Sequence, residues 1–258
     1  MTPEGYDLDD APIAPQLPGE VVAASTRDDV FDKLAADLLI HALNCVRTFG
    51  DFHIALSGGS TPMPLYERLM YDPNYRALPW SRTHLWIVDE RCVPFDHPKS
   101  NFEHIREIIV DHSGIPREQV HPIVATRDDA DVTYEAELRE HLGWREKGQD
   151  RLDYVLLGMG DDGHTASLFP HHEALDESVR LVRKCTGPRV TPPDRVTMTY
   201  PLINAARFVG VLVCGASKAP TLVRVAHGSD NFHALPIKGI RPIAGTLKWY
   251  VDGEACGR

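Results

Sequence analysis

The stretch DYVLLGMGDDGH, residues 153–164, decides the fold. Its first half is a short apolar run, Tyr154 to Leu157, of the length of a buried strand. Its second half is glycine-rich and ends on His164. Gly158, Gly160 and Gly163 carry the G-x-G-x-x-G spacing of a dinucleotide-binding turn. Such a turn needs a bare loop against a pyrophosphate, then a long helix, then a strand ending in an acid. Here Asp161 and Asp162 would meet the pyrophosphate with like charge. Pro170 cuts short any helix begun at Gly163, and HHEALDES (171–178) is no strand. The stretch therefore reads as a strand whose carboxyl end presents a histidine.

Outward from this stretch, strands and helices alternate. EVVAAS (20–25) reads as a strand, and Val30, Leu34, Leu38, Ala42 and Val46 recur at helical spacing over Asp28–Val46. Ser25 and Asp28 stand as N-cap and N3 of that helix. FHIALS (52–57) and HLWIVD (84–89) are strands, with a helix opening at TPMP between them. Helices follow over NFEHIREIIV (101–110) and from Asp128 to Trp144, with VHPIV (120–124) as a short strand between. RVTMTY (195–200), FVGVLVCG (208–215) and TLKWYVD (246–252) continue the strands, alternating with helices in LINAAR and SKAPTLVRVAHG. Strands apolar on both faces and separated by helices indicate an α/β fold with a mostly parallel, doubly wound, Rossmann-like sheet. One α/β domain is expected over residues 20–258, preceded by a flexible, acidic, proline-rich tail over 1–19.

The chain has 258 residues with 43% hydrophobic and 25% charged content, ordinary for a water-soluble globular protein. No apolar run is long enough to span a membrane, and the start lacks a signal peptide's pattern, so a cytoplasmic address is expected. Cys45, Cys92, Cys185, Cys214 and Cys256 are scattered and odd in number, which suits reduced thiols and no disulfide framework. A net charge of −10 disfavours nucleic acid and requires that any anionic substrate meet a local cluster of cations or helix N-termini.

In open parallel sheets, ligands bind beyond the carboxyl ends of the strands. That rule selects SGGSTP (57–62), DERCVP (89–94), GMGDDGHTASLFP (158–170) and GASK (215–218). Gly58, Gly59, Ser60 and Thr61 offer backbone amides and hydroxyls for a phosphate, or equally an ordinary capped turn. Arg91 could clamp a phosphate and Asp89 could orient it or bind a sugar hydroxyl, unless the pair is a solvated charge cluster. Lys218 and Arg195 are further cation candidates, each also readable as a plain surface charge. His164 suits a general base, with Asp161 or Asp162 in reach to orient its ring, and Asp162 is carried into the candidate catalytic set with Asp89. No G-x-S-x-G elbow suggests an acyl-enzyme. His171 and His172 find no partner carboxylate at a ligand spacing, so neither a metal nor any other cofactor is expected.

LSGGSTP, DERCVP with SNF soon after, GMGDDGHTASLFP and RVTMTYPLINAAR together resemble the successive motifs of the 6-phosphogluconolactonase family, in order and over nearly the whole chain. The resemblance implies hydrolysis of 6-phospho-D-glucono-1,5-lactone in the oxidative pentose phosphate pathway, without a metal. It implies His164 as the base that activates water, Asp89 and Arg91 as the family's D-E-R pair, and Arg91, Arg195 and Lys218 as phosphate contacts. The substrate is then a small sugar-phosphate lactone, and the protein a monomer or small homo-oligomer. The alternative, a glucosamine-6-phosphate deaminase/isomerase, would place a glutamate where this chain has Phe169. A non-catalytic sugar-phosphate sensor on the same fold would not need His164.

Overall fold

The computed structural model describes residues 12–143, 150–188 and 190–257. Seven strands form one all-parallel sheet in the order β1-β10-β9-β6-β2-β3-β5. The chain enters at the edge as β1 (Glu20–Ala24), crosses by α1 (Arg27–Phe49) to β2 (Phe52–Leu56), and passes α2 (Met63–Tyr71) to β3 (Thr83–Ile87). After β4 (Asp89–Arg91) come α3 (Asn101–Ile105), a π-helical turn over Arg106–Val110 and α4 (Asp111–Ser113), which together form one rod. The two-residue β5 (Val120–His121) closes that half of the sheet, and α5 (Ala130–Gly143) returns the chain to β6 (Tyr154–Gly158). Then come β7 (Val182–Thr186), β8 (Asp194–Met198), α6 (Tyr200–Ile203), β9 (Phe208–Val213), α7 (Ala219–His227) and β10 (Thr246–Asp252).

Every residue of β2 and of β9 is buried, which is why their sequences show no alternation. Sequence neighbours β2 and β3 build one flank of the sheet, whereas β6, β9 and β10 build the other. β2 and β6 meet at its centre, so the winding reverses between them. A crevice opens at such a reversal, outside the carboxyl ends of the strands.

Three sequence expectations need correction. The segment DER is not loop but β4, which pairs antiparallel with β8, and β8 with β7, in a separate three-stranded sheet. RVTMTY therefore belongs outside the parallel sheet. The N-cap of α1 is Thr26 rather than Ser25: its Oγ1 accepts from Asp29 N at 3.1 Å and donates to Asp29 Oδ2 at 2.6 Å. The box is the expected one moved by a single residue, because Ser25 follows directly on the strand end. The helix expected to reach Trp144 is described to Gly143, and Trp144 lies outside the described residues, as do residues 1–11 of the tail. Within the remainder of the tail, Leu17 packs on the core and Pro18 O accepts from Trp249 Nε1 at 2.8 Å.

Replacing an N-cap side chain with alanine costs about 1 kcal/mol. Thr26→Ala is expected to lower the unfolding free energy by that amount in urea titration, and Ser25→Ala to leave it within error. The reverse order would place the cap at Ser25.

Candidate active site

A cleft of about 490 Å³ opens at the reversal point. Gly58, Gly59, Ser60 and Thr61 after β2, Asp89 and Arg91 on β4, His164 after β6, Arg195 on β8 and Lys218 before α7 all line it. Of the residues placed in the candidate catalytic and binding set, Asp162 alone is not on the wall; it stands behind His164. The fold thus brings three separate loops and a strand pair to one place.

The turn after β6 is built around the histidine. Asp162 Oδ1 accepts from the His164 backbone N at 3.0 Å and lies 2.6 Å from its ring Nδ1. With Nδ1–H donating, Nε2 keeps a lone pair, and the ring stays 32% exposed on the cleft wall. The hydrogen bond to His164 holds the Asp162 carboxyl at about 2, against the opposing effect of partial burial. Asp161 faces away. Its carboxylate accepts from Lys218 Nζ at 2.6 Å and Ser217 Oγ at 3.2 Å, and its carbonyl accepts from Thr221 Oγ1. Two of the glycines are fixed by this turn. A Cβ on Gly160 would sit 2.1 Å from His164 Nδ1, and Gly163 has φ +82° with Leu235 Cδ2 2.5 Å from where a Cβ would stand.

The cleft lining also carries cations. Arg91 and Arg195 are directly paired across the antiparallel β4–β8 ladder, an arrangement of like charges that is unfavourable unless an anion joins them. Arg195 is 5% exposed, and burial, followed by the Arg91 charge, pushes its pKa down. Its guanidinium donates to Pro192 O and to Asp194 O (3.1 Å), and Arg91 donates to Lys99 O at 2.7 Å. Neither makes an ion pair with a carboxylate among the described residues. Pro62 caps α2 without a side-chain hydrogen bond, and Ser60 and Thr61 make none among the described residues, so their hydroxyls are open to a ligand.

Asp89 departs from its expected link to Arg91. Its Oδ2 accepts from Ser167 Oγ at 2.6 Å, and its carbonyl accepts from Asn101 Nδ2 at 2.7 Å. Asn101 Oδ1 is then buried on the cleft wall with no hydrogen-bond partner among the described residues. Neighbouring Glu90 accepts from Asn101 N (2.7 Å), Phe102 N (2.8 Å) and Ser100 Oγ (3.1 Å), which locks α3 against the site. Asn101 and Ser167 escaped the residue-by-residue reading; the only sequence signals were the SNF triplet and the small residues following His164. Phe169 lies with its ring centroid 5.3 Å from that of His164, giving the histidine an apolar neighbour.

The family model for glucosamine-6-phosphate isomerases/6-phosphogluconolactonase matches residues 25–249. A curated 6-phosphogluconolactonase of Nostoc sp. is 42% identical over 223 residues, which cover 85% of this chain and 90% of that protein. The GDH/6PGL endoplasmic bifunctional protein of Homo sapiens is 38% identical over 236 residues, 88% of this chain but 29% of that longer protein. Among solved structures, 6-phosphogluconolactonase from Thermotoga maritima superposes with a TM-score of 0.77 at 28% identity, covering 90% of this chain and 99% of that one. Among the described residues, no helix is long and apolar enough to cross a membrane.

Folding lowers the Asp162 pKa, so this carboxylate stabilises the native state at pH values above its ordinary 3.8, and that contribution is lost as pH falls towards about 2. The stability difference between the native chain and Asp162→Asn is expected to shrink steadily below about pH 4. Denaturant titrations at stepped pH measure it; a difference that grows as pH falls from about 4 towards about 2 would contradict the Asp162–His164 contact.

Proposed function

The chain belongs to the glucosamine-6-phosphate isomerase/6-phosphogluconolactonase family, and we propose that it hydrolyses 6-phospho-D-glucono-1,5-lactone to 6-phospho-D-gluconate. The observation that carries this reading is that one cleft is lined both by an Asp162-oriented imidazole and by paired arginines. A phosphorylated lactone is anionic at one end and electrophilic at the other, which is what those two groups match.

In this reading the phosphate binds Arg91, Arg195 and Lys218, with the hydroxyls of Ser60 and Thr61 and the backbone of Gly58 and Gly59. A dianion between the two arginines offsets their mutual repulsion. Lys218 shares its charge between the phosphate and Asp161. Asp89 and the open Asn101 Oδ1 accept hydrogen bonds from sugar hydroxyls. Held by its phosphate, the lactone presents its carbonyl carbon near His164.

His164 Nε2 removes a proton from water as the oxygen attacks that carbon. Asp162 holds the Nδ1 proton and stabilises the imidazolium that forms. The tetrahedral intermediate collapses with cleavage of the ring C–O bond, and the imidazolium returns its proton to the departing ring oxygen. A lactone is an activated ester, so positioning and one general base, worth roughly 10²–10⁴-fold, are sufficient. Phe169 favours hydrolysis over deamination, because it leaves His164 without the second carboxylate expected of a sugar-isomerising site.

The test is hydrolysis of the lactone measured above its spontaneous rate. His164→Ala is expected to lower kcat by about 10²–10⁴-fold with little change in KM, and Arg195→Ala to act mainly on KM. Equal rates for the native chain and His164→Ala would remove the base assignment. Ammonia release from glucosamine 6-phosphate without lactone hydrolysis would establish the deaminase instead.

A further inference from the structure

Away from the cleft, four histidines gather on one face of the parallel sheet: His53 on β2, His84 on β3, His121 on β5 and His141 on α5. None of them lines the cleft. His84 Nδ1 stands 3.0 Å from His121 Nε2, and one nitrogen from each of His84, His121 and His141 lies within 4.8 Å of the others. His121 Nδ1 is 2.6 Å from Glu137 Oε1, one turn before His141 on the same helix.

We propose that His84, His121 and His141 form a binding site for a divalent transition-metal ion of the zinc class, with Glu137 orienting His121 from behind. Imidazole nitrogens bound to Zn²⁺ at 2.0–2.1 Å in tetrahedral geometry are about 3.3 Å apart. The His84–His121 pair already has nearly that separation. His141, half-buried on its helix, closes the remaining gap by side-chain rotation. A carboxylate accepting from the far nitrogen of a ligating histidine fixes the tautomer and raises the ligand's basicity, and Glu137 holds that position on His121. With its Nδ1–H donating to Glu137, His121 directs the Nε2 lone pair at the site. In the metal-free chain the His84 Nδ1–H donates to that lone pair. Metal binding moves this hydrogen to the other nitrogen of His84 and leaves Nδ1 free to ligate.

The neighbouring group of Asp51, His53 and His84 fits a metal less well. His53 Nδ1 accepts from Trp86 Nε1 at 3.1 Å, so the His53 hydrogen is on Nε2, which faces Asp51 Oδ2 at 3.6 Å. His53 therefore carries its hydrogen on that side and has no lone pair there for an ion. Trp86 also stacks on His121 with ring centroids 3.7 Å apart, supplying an apolar wall that limits water access. The site lies apart from the cleft; its three protein ligands tie two strands to a helix and leave the fourth tetrahedral position to water.

The full chain, stripped by chelator and desalted, is titrated with Zn²⁺ by calorimetry and with Co²⁺ by visible absorption. One equivalent of Zn²⁺ is expected to bind and to raise Tm with rising concentration, and Co²⁺ to develop the intense d–d bands of tetrahedral coordination. His141→Ala, a change on a half-exposed helix face, is expected to abolish the bands and the Tm shift. Glu137→Gln is expected to keep one equivalent and weaken binding 10–100-fold. A double His171→Ala, His172→Ala variant controls for surface histidines and should bind as the native chain does. No stoichiometric binding, binding that survives both His141→Ala and His84→Ala, or binding lost in the double control would each overturn the site.

Discussion

The parallel sheet depends on one buried carboxylate. Asp153, at the start of β6, accepts from His53 N of β2 at 2.8 Å and from Arg207 Nε ahead of β9 at 3.0 Å. Its own backbone donates to His53 O at 2.9 Å and accepts from Phe208 N at 3.1 Å. A charge in that position is stable only with all of these partners in place, since an uncompensated buried carboxylate costs several kcal/mol. The amino ends of the three central strands are thereby held level. Their carboxyl ends then emerge at matched heights, and the loops after β2 and β6 face each other across the reversal.

The cleft carries local costs that the surrounding scaffold absorbs. Two arginines opposed across a short ladder, a buried Asn101 oxygen without a partner among the described residues, and a positive φ at Ala166 on the cleft wall are each unfavourable in isolation. They cluster at one end of a sheet whose central strands are buried throughout. Glu90 shows how the scaffold compensates: one side chain on β4 satisfies the first donors of α3 and fixes the strand that carries Asp89 and Arg91. The small antiparallel sheet thus brings two arginines to the cleft, and the parallel sheet positions the histidine.

Separating those roles also explains which readings of the chain needed correction. DER looked like loop because three charged residues have no strand pattern; pairing with β8 makes it a strand, and β8 lies more than a hundred residues away. Thr26 and Ser25 are equivalent caps on paper, and only the end of β1 decides between them. The choice between Asp161 and Asp162 turns on the direction of two adjacent side chains, with Lys218 drawing one outward and His164 the other inward.

By itself the sequence determined the alternation of strands and helices, the parallel character of the main sheet and the loops that come to line the cleft. Those features follow from local patterns: apolar runs, helical spacing, glycine and proline placement. It also distinguished the glycine-rich turn from a nucleotide fingerprint, because like charges and an early proline are local facts. Only the tertiary structure decided the pairing of Arg91 with Arg195, the placing of Asn101 and Ser167 around Asp89, and the gathering of His84, His121 and His141. Each of these joins residues far apart in the chain through strand order and register, and neither quantity is written in any single segment.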